Sequence, residues 1–336
     1  MKTLKKLYLD HQGKVSDKWL LYLEEYDRLF SSYRDKEITL LEIGVQNGGS
    51  LELWCKYFPK AKKLIGCDIN PECERLNYDD PRVSIVVGDA NNPITKSKIL
   101  NMSSEFDIII DDGSHLSGDI VKSFAHYFDC LKNEGMYIAE DLHCSYWNEF
   151  NGGLYYPSSS IAFFKKLFDI VNIEHWGVDK NVNQFLRVFA QKYCVKFNNE
   201  TLLKIHSIEI MNSLCAIRKK DDDNNVLGKR IISGSDEGIV DGHLGGQLPD
   251  LKFDQSTNAW STLEISPEDQ YENLKSELSA RNEQLAMMLN SRSWRMTSPL
   301  RVAGGYGRKI RSKYWQIREA IKTYGLLAFF KKSFRV

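Results

Sequence analysis

Five short apolar runs, each closing on acid and each separated from the next by a stretch of helical periodicity, constrain this chain more than any other feature. They are ITLLE at 38–42, KLIGCD at 63–68, VSIVVGD at 83–89, FDIIIDD at 106–112 and GMYIAED at 135–141. Runs that are apolar on both faces suit strands covered on both sides by helices. Between them lie helical patterns, such as 118–131 with Ile120, Val121, Phe124, Tyr127, Phe128 and Leu131 on one face. This alternation predicts an α/β fold with a doubly wound, mostly parallel sheet. Two more runs, 205–211 and 214–219, separated by Asn212 and Ser213, read as an antiparallel pair that closes the sheet edge, for seven strands in all. Ahead of the first strand, residues 16–34 set Trp19, Leu20, Leu23, Tyr26 and Phe30 at helical spacing behind Ser16 or Asp17 as a cap. That helix is expected to cover the sheet.

Parallel strands share one carboxyl edge, and open α/β sheets bind ligands in the crevice beyond it. Glu42, Asp68, Asp89, Asp111 with Asp112, and Glu140 with Asp141 therefore converge on one rim. Their mutual repulsion is costly unless a cation or hydrogen-bond donors stand between them. The turn after the first strand runs Glu42, Ile43, Gly44, Val45, Gln46, Asn47, Gly48, Gly49, which is not the G-x-G-x-x-G of a dinucleotide site. An acidic rim also opposes a pyrophosphate. It suits S-adenosylmethionine, which has no phosphate and carries a sulfonium cation.

The E-x-G-x-x-x-G turn, the acid ending the second strand and the aspartate ending the third resemble those of class I S-adenosylmethionine-dependent methyltransferases. The resemblance implies cofactor contacts from Glu42, Gly44 and Gly48 at the turn, Asp68 on the ribose, Asp89 near the adenine, and Asp111 on the cofactor side. IDDGSH at 110–115 and AEDLHCSYW at 139–147 are similar to segments of the metal-dependent macrolide-sugar O-methyltransferases and the cephalosporin hydroxylase-like group. The likeness covers about residues 15–220.

A sugar hydroxyl is a poor nucleophile at neutral pH, so a cation that acidifies it and a base that takes its proton both help. Asp112 and Asp141, on neighbouring strands, can share one ion, and carboxylates favour Mg²⁺ or Mn²⁺. His143 stands as a third ligand or as an outer partner of the ligands. By the family resemblance His115 is the base beside Asp112. The aromatic rings of Tyr146 and Trp147 suit an apolar wall against a sugar face.

Beyond 220 the reading is compositional. Residues 221–265 are polar and glycine-rich, a linker; 266–336 hold a coiled-coil segment and a basic, aromatic tail. Tyr271, Leu278 and Leu285 recur every seven residues, which suggests a homo-oligomer formed through helices. Residues 292–336 carry twelve Lys and Arg against Glu319 alone, a charge of +11, and the remainder of the chain carries −11. SRSWRMTSPLR at 291–301 resembles tails of bacterial surface-polysaccharide enzymes. Basic residues interleaved with Trp315, Tyr324, Phe329 and Phe330 suit an anionic membrane surface better than nucleic acid. Seven cysteines without a C-x-x-C pair point to reduced thiols, and the N-terminus lacks an apolar signal core, so a cytoplasmic protein on the inner membrane face is expected. The expected activity is metal-assisted O-methylation of a sugar in surface polysaccharide or lipid-linked glycan assembly. The alternatives are a Rossmann-type oxidoreductase or hydroxylase-like enzyme, and an inactive scaffold that recruits glycan enzymes to the membrane.

Overall fold

The computed structural model describes residues 2–244, 253–264 and 267–297, with isolated positions between 313 and 322. The chain divides into two units, Met1–Asp269 and Gln270–Val336. The first contains the sheet, in the order β3-β2-β1-β4-β5-β7-β6. Its strands are β1 (Thr39–Ile43), β2 (Lys63–Asp68), β3 (Val83–Val87), β4 (Phe106–Asp111), β5 (Leu131–Ala139), β6 (Ile205–Met211) and β7 (Leu214–Lys219). The first five run parallel, while β7 lies antiparallel to both β5 and β6. The chain leaves β1 toward β2 and β3, then returns to place β4 on the other side of β1. The crevice between β1 and β4 is thus the switch point where such sheets bind ligands.

Helices α1 (Leu4–Leu9), α2 (Leu20–Phe30), α3 (Gly49–Tyr57), α4 (Pro93–Met102), α5 (Ser117–Tyr127) and α6 (Ser160–Val171) cover the sheet. Alternate residues of the strands feed two separate cores, as the two-residue period of a strand requires. Leu41, Ile43 and Ile109 pack with Phe124, Tyr127, Phe163 and Leu167 on one face. Leu40, Ile108 and Ile110 pack with Tyr26, Phe30, Trp54 and Phe58 on the other. There the aromatic rings interlock, with Tyr26 and Phe30 stacked at 4.9 Å.

Two expected boundaries move. Helix α2 starts at Leu20, with Trp19 as its uncapped N-terminal neighbour, not behind Ser16 or Asp17. Ser16 is instead hydrogen-bonded to the Tyr8 hydroxyl at 2.9 Å, and the Lys18 side chain is drawn toward carboxylates at the sheet edge. Trp19 and Leu20 are accordingly exposed rather than part of the apolar face. The helical pattern of 118–131 ends at Tyr127 and gives way to a single tight turn, Phe128–Cys130, because Leu131 already pairs with Phe106 as the first residue of β5. The buried Lys219 ammonium donates to the Phe128, Asp129 and Leu131 carbonyls at this change of course.

Downstream of β7, the Leu227 N–H donates to Glu174 at 2.9 Å and the Gln255 N–H to the Gly177 carbonyl at 2.8 Å. The second unit begins within the helix Pro267–Asn290, which carries Tyr271, Leu278 and Leu285 exposed. Most of the basic aromatic tail, Tyr324, Phe329 and Phe330 included, lies outside the described residues. Among the described residues no helix is long and apolar enough to cross a membrane.

Candidate active site

The carboxyl ends of β1, β2 and β4 open into a cavity of about 450 Å³, within the usual size of a small-molecule site. Gly44 forms its floor. At φ 91° it turns the chain beneath β4, and a Cβ there would stand 1.9 Å from the Asp112 carbonyl oxygen, so only glycine allows the two backbones to pass. Seven aspartates line the cavity: Asp17, Asp68, Asp89, Asp111, Asp112, Asp119 and Asp141. Lys18 is the one lysine or arginine among the described lining residues.

The expected cofactor residues separate into three groups. Asp68 lines the cavity, with Oδ2 accepting the Val45 and Gln46 N–H groups at 2.8 Å, which leaves Oδ1 shared with the Asn70 N–H. Asp89 also lines it, with Oδ1 taken by the Asn91 N–H. Asp111 lies at the inner wall, 4% exposed, where the Tyr137 hydroxyl donates to it at 3.2 Å and burial pushes its carboxyl up to about 7. Glu42 and Gly48 stand behind the cavity wall. The Glu42 carboxylate is fully buried beneath the turn, with one oxygen accepting from Ser50 at 2.6 Å and the other from the Trp54 indole at 3.2 Å. Burial raises its pKa, and it braces the turn rather than facing the cavity. Gly48 is the left-handed residue that starts α3, with its carbonyl held by the Tyr78 hydroxyl, and it is likewise absent from the cavity wall.

At the mouth, Asp112, His115 and Asp141 bring ligand atoms within 4.8 Å of one another. His115 Nε2 lies 4.0 Å from Asp112 Oδ1 and 3.7 Å from Asp141 Oδ2, and each of these side chains is about a fifth exposed (21, 23 and 22%). Two carboxylates and one imidazole facing a wet opening fit a hard divalent cation that keeps some of its water. His143 is not part of this group. Its Nδ1 is taken by Ser213 Oγ and lies 3.9 Å from Asp141 Oδ1, so it stands behind Asp141 and not beside it. The trio thus contains the histidine expected as base, while His143 takes the outer of the two positions expected for it.

Sequence reasoning missed the residues that hold these acids. Lys18, 3% exposed at its side chain, forms an ion pair with Asp112 Oδ2 and another with Glu140 Oε1 at 2.7 Å. Burial opposes its charge, but the carboxylates of Glu140, Asp112 and Glu42 outweigh burial and hold its pKa well above the ordinary value. Glu140 is itself pushed up to about 8, because burial and Asp112 together exceed the pull of Lys18. The Tyr26 hydroxyl donates to the same Glu140 oxygen. The Tyr22 hydroxyl and the Trp19 indole N–H both reach Asp141 Oδ1, at 2.9 and 3.1 Å. Lys18, Tyr22 and Tyr26 recur every four residues on the buried face of α2 and its approach, polar tips on an otherwise apolar stripe, and that spacing was the available signal.

On the open side the rings form a continuous group. Trp19 and Trp147 meet His143 edge-on, at 6.1 and 4.9 Å between centroids, and Phe150 bridges Trp147 to His115 at 6.1 and 6.4 Å. Trp147 is half exposed, as is Tyr146 in the same turn.

Residues 20–142 match the family model of the FtsJ-like methyltransferases. Over 164 residues the chain is 36% identical to the 8-demethyl-8-alpha-L-rhamnosyl tetracenomycin-C 2'-O-methyltransferase of Streptomyces olivaceus, covering 46% of this chain and 42% of that one. Over 171 residues it is 33% identical to the mycinamicin VI 2''-O-methyltransferase of Micromonospora griseorubida, covering 48% and 42%. Each match therefore spans less than half of the relative's length. In structure it is similar to the MycE methyltransferase of the mycinamycin biosynthetic pathway, solved in complex with Mg, SAH and mycinamycin VI. The TM-score is 0.53 and the identity 25%, over 66% of this chain and 54% of that one. Both the sheet and these likenesses bear out the resemblance read from the strand-end motifs: the stretch that matches the FtsJ-like methyltransferase model, residues 20–142, carries five of the seven strands and most of the rim of the cavity.

Proposed function

We propose that this protein is an S-adenosylmethionine-dependent O-methyltransferase that uses Mg²⁺ or Mn²⁺ and methylates a hydroxyl of a sugar. The observation that carries the reading is the division of the site: an aspartate-lined cavity of cofactor size on one side of Asp112 and Asp141, and a ring-lined opening on the other. Asp68, Asp89 and Asp111 take the cofactor, with Gly44 allowing its close approach. Asp112 and Asp141 hold the cation, which when bound makes a coordinated hydroxyl more acidic. Oxygen-seeking cations fill the rest of their shell with water and hydroxyl oxygen. That leaves His115 Nε2, between the two carboxylates, to take the proton of the acceptor as the methyl group leaves sulfur. Trp147, with Trp19, His143 and Phe150 around it, offers an apolar ring face for the sugar, and Tyr146 borders it.

The relatives act on sugars carried by antibiotics, and the same chemistry serves surface polysaccharide or lipid-linked glycan. We place this chain in the latter context on account of its basic tail, which would hold the enzyme at the cytoplasmic face of an anionic membrane, and of the helix Pro267–Asn290, which would pair copies as a coiled coil. Calorimetric titration with S-adenosylmethionine in Mg²⁺ tests the first step, and absence of binding would refute it. Turnover with a panel of glycosides, read as a 14 Da gain, tests the second. Undiminished turnover in EDTA would remove the cation from the mechanism.

A further inference from the structure

Asp141 occupies the left-handed region at φ 52°, a conformation that costs a residue with a side chain on the order of 1 kcal/mol or more. It persists only if its surroundings impose it, and the structure identifies them. The Tyr22 hydroxyl accepts the Asp141 N–H at 3.1 Å, and its one proton is shared between Asp141 Oδ1 at 2.9 Å and the Ser213 carbonyl at 3.0 Å, so a single atom from α2 touches the backbone and side chain of Asp141 and the turn beyond it. From the opposite side the turn between β6 and β7 holds the next two residues. The Ser213 carbonyl accepts the Leu142 N–H at 2.9 Å, and Ser213 Oγ accepts the His143 N–H at 3.2 Å.

The carboxylate oxygens divide accordingly. Oδ1 of Asp141 is held by Tyr22 and Trp19, which leaves Oδ2 as the oxygen nearest His115. Oδ2 of Asp112 is held by Lys18, which leaves Oδ1 as the oxygen nearest the same imidazole. One oxygen of each aspartate is thus occupied from the start of α2, and the other is presented to the mouth of the site.

We propose that Tyr22, assisted by Trp19, is a positioning residue for the cation site: its hydroxyl fixes the backbone and the carboxylate rotation of Asp141 so that Oδ2 meets Asp112 Oδ1 on one ion. The proposal rests on the reading of Asp112 and Asp141 as cation ligands. Outer partners of metal ligands commonly contribute 10- to 100-fold in affinity. The probe is Mn²⁺, titrated into the full-length protein and followed by electron paramagnetic resonance, without turnover. Tyr22→Phe, which removes only the hydroxyl, is expected to weaken Mn²⁺ binding by about 10-fold or more. Trp19→Phe, at an exposed position whose change leaves the core intact, is expected to weaken it several-fold, and S-adenosylmethionine affinity should be unchanged in both. In assays, excess Mn²⁺ should restore the kcat of Tyr22→Phe, which general damage to the fold would not allow. If Tyr22→Phe is poorly folded by circular dichroism, Trp19→Phe decides the matter. Wild-type binding that both variants leave within twofold overturns the role of α2. Absence of Mn²⁺ binding by the wild type, or wild-type affinity in Asp141→Asn, overturns the cation site itself and the proposal with it.

Discussion

Replacing Asp111 with Asn should make the protein more stable at neutral pH and leave it nearly unchanged in acid. Asp111 ends β4, is almost completely buried, and keeps its proton until about pH 7 because burial penalises the anion more than Tyr137, Gly113 and Ser123 can compensate. In the unfolded chain the same carboxyl titrates at its ordinary 3.8. The folded state therefore binds a proton that the unfolded state has released, and stability falls as pH rises through this window. At 1.36 kcal/mol for each tenfold change in proton affinity, the loss between pH 4 and pH 7 is on the order of 4 kcal/mol. Asparagine has the same shape, can accept from the Gly113 N–H, and never ionises. Urea unfolding of both proteins at half-unit steps from pH 4.5 to 8 should give a difference that grows by about 1.4 kcal/mol per pH unit and levels off above pH 7. A difference independent of pH would refute the reasoning, since it would mean that Asp111 is charged in the folded protein or that its effect is one of packing alone.

His115→Gln should lower kcat by about 10²- to 10⁴-fold with Mn²⁺ affinity kept within a few-fold, as expected of a base; loss of Mn²⁺ binding in that variant would make the residue a ligand instead. Lys18→Met should destabilise the fold by about 3–5 kcal/mol at pH 9, because Asp112 and the buried Glu140 lose their shared ammonium. Since Glu140 takes up a proton below about 8, the penalty in urea unfolding should shrink toward pH 6, and a penalty constant over that range would contradict the ion-pair account.

The fold was legible where a pattern had a short period and a local cause. Apolar runs ending in acid located β1 to β5, and the paired runs around Asn212 and Ser213 located β6 and β7 to the residue. The boundaries that moved were decided by partners distant in the chain. Nothing near Leu131 says that it will pair with Phe106, and nothing near Ser16 says that its hydroxyl will go to Tyr8 instead of capping a helix.

The same distinction explains the site. The residues that offer chemistry stand at strand ends, where a motif of a few positions announces them, and Asp112, His115 and Asp141 were legible for that reason. The residues that hold them in place come from α2 and the two positions before it, far from Asp112 in the chain, where the apolar spacing marks only a helix that covers the sheet. A tyrosine or lysine on such a face is ordinary by itself, because its ring or stem packs like a hydrophobe. The sequence does, however, contain an imbalance that demanded them. Strand-end acids that are buried need donors, and Lys18, Tyr22 and Tyr26, like Ser50 and Trp54 beneath Glu42, supply them at the four-residue spacing of a covering helix. Counting the donors a buried acidic rim needs, and then searching the covering helices for them, would have turned α2 from a lid over the sheet into a working part of the site. It is that accounting, not the strand-end motif, which makes the hydroxyl of Tyr22 the most informative single atom to remove.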